Sequence, residues 1–561
     1  MEKRLDIKLE EILKNIQTPG KYIGTEWNSY RQKENSRRFL LCFPDDYGIG
    51  MSCLGFHTVG NIINSHDRFS CERCFAPVPD MEEMMRKHEV ELFSLETKTP
   101  AEKFDIIGFS FQYELSYTNF INMLDLAGLK PFRAERAMED PPVIGGGPSC
   151  MNPEALADFV DMLVIGEAET VLPELLDVYL ESSDKKDFLA QAAQMEGIYV
   201  PGVNNKVKRV YFEDFDDRYF PVSPPVAVVD IPHNRINVEI NRGCKNRCRF
   251  CQAAVIYGPY RQKSTDQVID LACKSVASTG HDEISLTSLS ATDHPELLDI
   301  MDRLHDELKG QGVSVVLSSM RPGLFVAGLW KRLVRLRRGG LTFAPETPSE
   351  KLKRVIGKKV KNEDIIQAAK IASENGWKKV KLYFMVGLPG EKEEDIYEII
   401  SFIKEVRQKS GLDINVTVSP LIPQPHTPFQ WVENIPPETL SQRVALIKKK
   451  APVQVRGFNS KQYIIENILT RADSSLSGVI YSAWKNGSRF DQWKEYFDFE
   501  IWEKAFKDNN TSWEEYYYKK YEDMKELPWD HIDAGAEKAD IKRSYDTAMK
   551  YLEDEYCFCK N

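Results

Sequence analysis

A chain of 561 residues with 42% hydrophobic content is long and apolar enough for about three to four domains with real cores. Its formal net charge of −11 excludes a general electrostatic attraction to nucleic acid. The apolar runs are short and broken by charges, which excludes a membrane span, and Met1-Glu2-Lys3-Arg4-Leu5-Asp6 leads into an amphipathic helix rather than a signal peptide's apolar core. A cytoplasmic location with no membrane partner is expected. Eleven cysteines in that compartment point to metal or redox chemistry before disulfides.

Residues 1–36 read as a helical lead-in. From 37 to 185, strand and helix signals alternate. Strands are predicted at 38–43, 105–110, 142–148 and 161–167, and helices at 53–63, 117–127 and 169–179. This alternation predicts a Rossmann-like, doubly wound parallel sheet covered on both faces. Ligands of such sheets sit beyond the carboxyl ends of the strands. The candidate contacts there are Pro44, Gly108, Gly146, Gly147, Gly166 and Glu167, the glycines because they let a flat cofactor approach the backbone. Cys42, Cys53, Cys71, Cys74 and Cys150 also fall here. The C-x2-C formed by Cys71 and Cys74 is a weak metal signal, and buried free cysteine is common.

Residues 186–235, punctuated by Pro221, Pro224 and Pro225, read as a small β linker. From 236 to 455, strands at 237–240, 282–287, 314–318, 340–344, 380–385 and 415–419 alternate with helices. They predict a partial (βα)6 barrel of the TIM type, with its active site at the carboxyl ends of the strands. The loop after the first of these strands carries Cys244, Cys248 and Cys251 in a C-x3-C-x2-C pattern. One loop can turn three thiolates toward one point. There they can hold three irons of a [4Fe-4S] cube and leave the fourth open for chemistry. A structural zinc site wants four closed ligands, and the nearest downstream cysteine is Cys273; zinc and unliganded thiols are the alternatives. Two basic clusters, Lys351, Lys353, Arg354, Lys358 and Lys359, and Arg332, Arg335, Arg337 and Arg338, are read as solvated helix faces, with a local basic groove as the alternative. Residues 456–561 read as a helical region with an aromatic core, ending near Cys557 and Cys559.

The C-x3-C-x2-C loop with Phe250 just before its last cysteine resembles the radical S-adenosylmethionine (SAM) enzymes. The domain in front resembles the cobalamin-binding domain of cobalamin-dependent members, on the run Val164-Ile165-Gly166-Glu167-Ala168-Glu169-Thr170. Phe43-Pro44-Asp45, Phe75-Ala76-Pro77 and Gly145-Gly146-Gly147-Pro148 resemble an uncharacterised two-domain subfamily. The resemblance implies a [4Fe-4S] cluster, SAM and cobalamin as cofactors. It implies reductive cleavage of SAM to a 5′-deoxyadenosyl radical, then methylation or a related modification of an unactivated carbon, on RNA or a ribosomal component.

The resemblance also assigns residues. Ser288 and Ser290 stand where the family has a Gly-Gly-Glu-like turn that grips the SAM amine, Arg321 would pair with the SAM carboxylate, and Glu346 would accept from the ribose or amine. His426 shapes a proline-rich loop. A reductase or a flavodoxin- or ferredoxin-type protein would donate the electron. The lower-axial histidine motif D-x-H-x-x-G has only a partial match around His57, so cobalamin would bind without histidine ligation. The rivals are a methylthiotransferase with a second cluster on N-terminal cysteines, and a non-enzymatic cluster or corrinoid sensor.

Overall fold

The computed structural model describes residues 2–336 and 340–558, with side chains described from 8 to 552, and its contacts fall into two units. One contains residues up to 234 together with 468–516 and 526–534. The other contains 235–467, 517–525 and the residues from 535 onward. The stretch 456–561, expected as one helical region, is therefore shared between them. Arg337, Arg338, Cys559 and the Cys557 side chain lie outside the described residues.

In the first unit, β1 (Arg37–Phe43) is a nearly unbroken apolar run buried on both faces, as an internal parallel strand requires. It joins β2 (Phe69–Phe75), β3 (Ile106–Ser110), β4 (Val143–Gly146), β5 (Met162–Val164) and β6 (Ile198–Tyr199) in a sheet of order β2-β1-β3-β4-β5-β6. All pairings are parallel except β5 with β6. Helices Leu54–Ser65 and Ala168–Glu181 pack together over an apolar cluster that includes Phe39, Leu41 and Phe56. Helices Pro79–His88 and Tyr117–Leu126 are joined by the Asn122 amide donating to Glu82 at 2.8 Å. β6 lies in the region expected to be a linker. Its neighbour Val207–Lys208 pairs with Ile532–Asp533 instead of forming a free connector.

Sequence patterning does not find β2, because Glu72 and Arg73 interrupt its apolar run. Both are buried and paired. Arg73 bridges Glu26 at 3.1 Å and Glu96 at 2.6 Å with no side-chain exposure, and Glu72 receives Arg38. The strand also disposes of the C-x2-C signal. Residues three apart on a strand point to opposite faces, so Cys71 and Cys74 cannot share a metal; Cys74 instead sits beside Cys42 in register.

In the second unit, β7 (Ile236–Glu239), β8 (Glu283–Thr287) and β9 (Ser314–Leu317) form one parallel sheet. β10 (Leu341–Glu346), β11 (Lys379–Val386), β12 (Asp413–Pro420) and β13 (Gln454–Arg456) form another. The six expected strands are present, and β13 is a seventh, too short to register as a periodic signal. Among the described residues no strand pairing joins β9 to β10. Along β11 the even-numbered residues Val380, Leu382, Phe384 and Val386 are buried, while Lys381, Tyr383 and Met385 are half-buried. The other face carries Lys381 and Tyr383 with Met385 at its carboxyl end, unlike the branched apolar filling of a closed barrel. No described helix is long and apolar enough to cross a membrane.

Replacing Arg73 strands two buried carboxylates, a loss of about 3–5 kcal/mol. Arg73→Ala should lower the unfolding free energy of its unit by that amount, read in a urea titration as the midpoint shift multiplied by the m-value. Arg37→Ala, which removes an exposed partner of Asp105, should cost less than about 1 kcal/mol.

Candidate functional site

The cysteine loop begins where β7 ends. The Ile240 amide donates to Thr287 at 3.1 Å, and the Lys263 amide donates back to Ile240 at 2.9 Å. Asn241–Arg242 then pairs antiparallel with Arg261–Gln262, which pinches residues 243–260 into a closed loop. Gly243 sits at the neck with φ +82°. A Cβ there would lie 2.7 Å from the Pro259 carbonyl oxygen and 2.8 Å from that of Tyr257. Only glycine fits both the left-handed backbone and the gap.

The far side of the loop is anchored by Arg249. Its amide donates to Ile356 at 2.9 Å, and its guanidinium to the Arg354 and Val355 carbonyls at 2.7 and 3.0 Å and to the Ser544 hydroxyl at 3.1 Å. Phe250, expected at the cofactor, packs half-buried against the apolar cluster of Leu352, Ile356 and Leu388. It is an anchor for the loop.

Cys244, Cys248 and Cys251 are free and half-buried on this clamped loop. Burial pushes the Cys248 thiol up to about 11; the Lys358 ammonium opposes that, and Cys251 and Cys244 add to it. Burial also raises Cys251, with Cys244 pushing the same way and Lys358 against. The thiols thus feel one another and a shared cation. Among the described residues no three His, Cys, Asp or Glu side chains are gathered closely enough to hold one metal ion. Three cysteines on one short loop are the ligand set a [4Fe-4S] cluster takes, each thiolate on its own iron.

Asn246, which the sequence did not single out, ties the loop to its neighbours. It donates to the Cys244 sulfur at 3.5 Å and to Asp293 at 2.7 Å. Its carbonyl accepts from the Arg321 guanidinium at 2.7 Å. Arg321 also donates to the Lys359 carbonyl at 2.5 Å, and its amide donates to Thr292 at 3.2 Å. Lys358, read from sequence as part of a solvated face, pairs with Glu346 at 3.0 Å beside the thiols. Glu346 holds φ +63°, a strained value for a glutamate, at the end of β10. Burial keeps its carboxyl above the usual range against the pull of Lys358.

The Ser288–Ser290 turn is fixed by serines. The Ser288 amide donates to the Ser318 hydroxyl at 3.0 Å, the Ser290 amide to the Ser288 hydroxyl at 2.9 Å, and the Ser319 hydroxyl to the Ser288 carbonyl at 3.0 Å. Asn241, just before the cysteines, is buried, and neither side-chain amide atom has a hydrogen-bond partner. A buried amide without a partner costs about 1–3 kcal/mol. His426 is buried with φ +62°, its amide donating to Gln430 at 2.9 Å, consistent with a loop-shaping role.

Protein atoms stand where a Cβ would be at three of the candidate glycines of the first unit: the Phe39 ring at Gly108, the Phe111 backbone at Gly147 and the Val210 backbone at Gly166; at Gly146 the nearest atom, Val164 Cβ at 3.7 Å, leaves ordinary contact. The Pro44 carbonyl accepts from Asn119 at 3.1 Å, and the Glu167 carboxylate from the Phe212 amide at 2.9 Å. His57 is buried, bonded through Nε2 to the Met51 carbonyl at 2.9 Å, and pushed down to about 4 by burial.

Residues 238–403 match the radical SAM superfamily, and residues 55–201 match the family of radical SAM proteins, N-terminal. The chain is 30% identical over 445 residues to the uncharacterized protein MJ0966 of Methanocaldococcus jannaschii, covering 79% of this chain and 90% of that one. It is 28% identical over 187 residues to the ribosomal protein uS12 methylthiotransferase RimO of Dictyoglomus thermophilum, covering 31% and 41% respectively. Among solved structures it shares a fold with the radical SAM methyltransferase TsrM of Kitasatospora setae, determined with cobalamin and a [4Fe-4S] cluster bound. The TM-score is 0.55 and the identity 15%, over 84% of this chain and 100% of that one.

Gly243→Ala puts a methyl group into the neck of the loop. The expected result is a severalfold loss of iron after anaerobic reconstitution with normal far-ultraviolet circular dichroism, measured by colorimetric iron assay.

Proposed function

The chain belongs to the radical SAM superfamily, and from that premise we propose that it is an enzyme that cleaves SAM reductively and modifies an unactivated carbon. The observation that carries this reading is the trio of half-buried thiols on one clamped loop at the carboxyl end of a parallel strand. Cys244, Cys248 and Cys251 would hold a [4Fe-4S] cluster, which when bound supplies the electron that breaks the S–C5′ bond of SAM to give the 5′-deoxyadenosyl radical.

The remaining work belongs to the protein's own groups. Asn246 fixes the first thiol and passes its carbonyl to Arg321, so the guanidinium is held at the rim of the cluster loop with its Nε still to offer to a carboxylate. Lys358 offsets thiolate charge, and Glu346 keeps Lys358 in place. Ser318 and Ser319 rigidify the 288–290 turn, whose backbone can bind an amine. Preorganisation of this kind is what a protein contributes when a cofactor carries the hard step.

The finer reading is methyl transfer or a related carbon modification with cobalamin as second cofactor. Its support is the fold shared with a cobalamin-bound methyltransferase. A methylthiotransferase needs three more cysteines in one place. Among the described N-terminal cysteines, Cys42 and Cys74 are neighbours on adjacent strands, but Cys71 is on the opposite face of β2 and Cys53 and Cys150 lie on other segments. A protein electron donor and an RNA or ribosomal substrate complete the reading. Exposed Lys245, Arg247, Arg354 and Lys359, on the cluster loop and the segment it touches, favour acidic or phosphate-bearing partners despite the net charge of −11.

Reconstituted protein should carry about four irons and release 5′-deoxyadenosine when reduced with SAM. Cys248→Ala should abolish the release. Wild-type protein that holds its cluster but yields no 5′-deoxyadenosine would refute the enzyme reading. About eight irons without corrinoid would move it to the methylthiotransferases.

A further inference from the structure

The sheet β10–β13 of the second unit has two faces of different character. On one stand Leu382 and Phe384 of β11 with Val416 and Val418 of β12, all buried. On the other, the parallel register sets side chains in rows. Thr342 of β10, Lys381 of β11 and Asn415 of β12 form one row. Two residues further along, Tyr383, Thr417 and Arg456 of β13 form the next. Thr342 and Arg456 are exposed and the other four half-buried, so water reaches this face.

These six side chains are not spent on the fold. Among the described residues none of them forms a hydrogen bond or an ion pair; the Lys381 ammonium lies over the Tyr383 ring, 4.8 Å from its centre. The charge of the face is also uncompensated. The carboxylates of the four strands stand at strand ends: Glu346 pairs with Lys358 at 3.0 Å, and Asp413 is opposite Lys379 in register. Two cations, Lys381 and Arg456, are left over on a chain of net charge −11.

Composition decides which class of partner this face fits. A protein partner would be gripped through an apolar interface core, and these rows offer cations, hydroxyls, an amide and one ring, with no aliphatic anchor. Nucleic-acid interfaces are polar and positively charged. The neutral donors and acceptors beside the cations suit a ribose 2′-hydroxyl, the group that separates RNA from DNA. Chemistry on a base requires the nucleotide to leave its stack, so a single strand is the form that fits.

We propose that this face is the wall on which the substrate lies, and that the substrate is single-stranded RNA whose phosphates are taken by Lys381 and Arg456. The proposal rests on the reading of the chain as a radical SAM enzyme acting on an unactivated carbon, and adds the substrate class and its contacts.

The test is fluorescence anisotropy of a labelled single-stranded RNA of mixed sequence, about twelve nucleotides long. It is titrated with full-length reconstituted protein without SAM or reductant, over a range of salt. Lys381→Gln and Arg456→Gln should each weaken binding about fivefold to tenfold and lower the salt slope by about one. Lys274→Gln, which removes a cation paired with Asp270 elsewhere in the unit, should leave both unchanged. No binding by wild type, or either folded sheet variant binding as wild type does, would overturn the proposal. So would DNA or polyglutamate of the same length binding as tightly as RNA, or a loss confined to Arg354→Gln, which would put the strand on the cluster loop. If Lys381→Gln fails to fold, Arg456→Gln decides alone. 5′-Deoxyadenosine release by reduced wild type with SAM and no RNA tests the cluster reading separately.

Discussion

The second unit is built around a pinch. Three thiolates from eight consecutive residues can converge only if the loop that carries them is closed at its base and prevented from spreading. The base is the short ladder of Asn241–Arg242 with Arg261–Gln262, and the neck is Gly243, whose missing side chain lets two backbone carbonyls approach. Arg249 on the opposite side turns three carbonyls of 354–356 into fixed points. Remove the pinch and the sulfurs remain in sequence but no longer in register with one another.

The same constraint explains the polar character around the loop. A rigid loop of this kind leaves backbone and side-chain donors that must find partners from neighbouring strand ends, and Asn246, Asp293, Arg321, Thr292 and Lys359 form that set. The strands themselves contribute little apolar filling on this side; their stabilising contacts are on the helix-facing side, through Val380, Leu382, Phe384 and Val386 of β11. Separating the two roles by face lets one sheet be both a core and a wall. Stability on one side is the condition for a site on the other, where unsatisfied groups such as Asn241 can persist.

What was legible from the sequence follows from range. The cysteine pattern is local, so its spacing alone placed it in one loop after a strand. Strands β1, β3, β8 and β11 are apolar runs bounded by turn residues, and they too were readable. β2 was not, because its Arg73 is neutralised by Glu26 and Glu96 and its Glu72 by Arg38, all distant in sequence. Lys358 looked like a surface lysine because its partners Glu346 and the thiols come from other loops. Asn246 carried no signal at all until Arg321 and Asp293 arrived beside it. Of the C-terminal aromatics expected to form a packing core, Trp502, Tyr517 and Tyr521 are buried while Tyr496 and Tyr518 are exposed, and the sequence carries no hint that they divide between two units.

The glycines of the first unit make a narrower point about such readings. Gly147 and Gly166 do need glycine, at φ +117° and +126°, and in each case backbone is packed where a side chain would stand. A glycine-rich edge signals close approach, but it does not say what approaches. Here the approaching groups are Phe111 and Val210 of the same unit. The chemistry that would recognise a cofactor, a concave polar edge with small residues, is also the chemistry that recognises a folded loop.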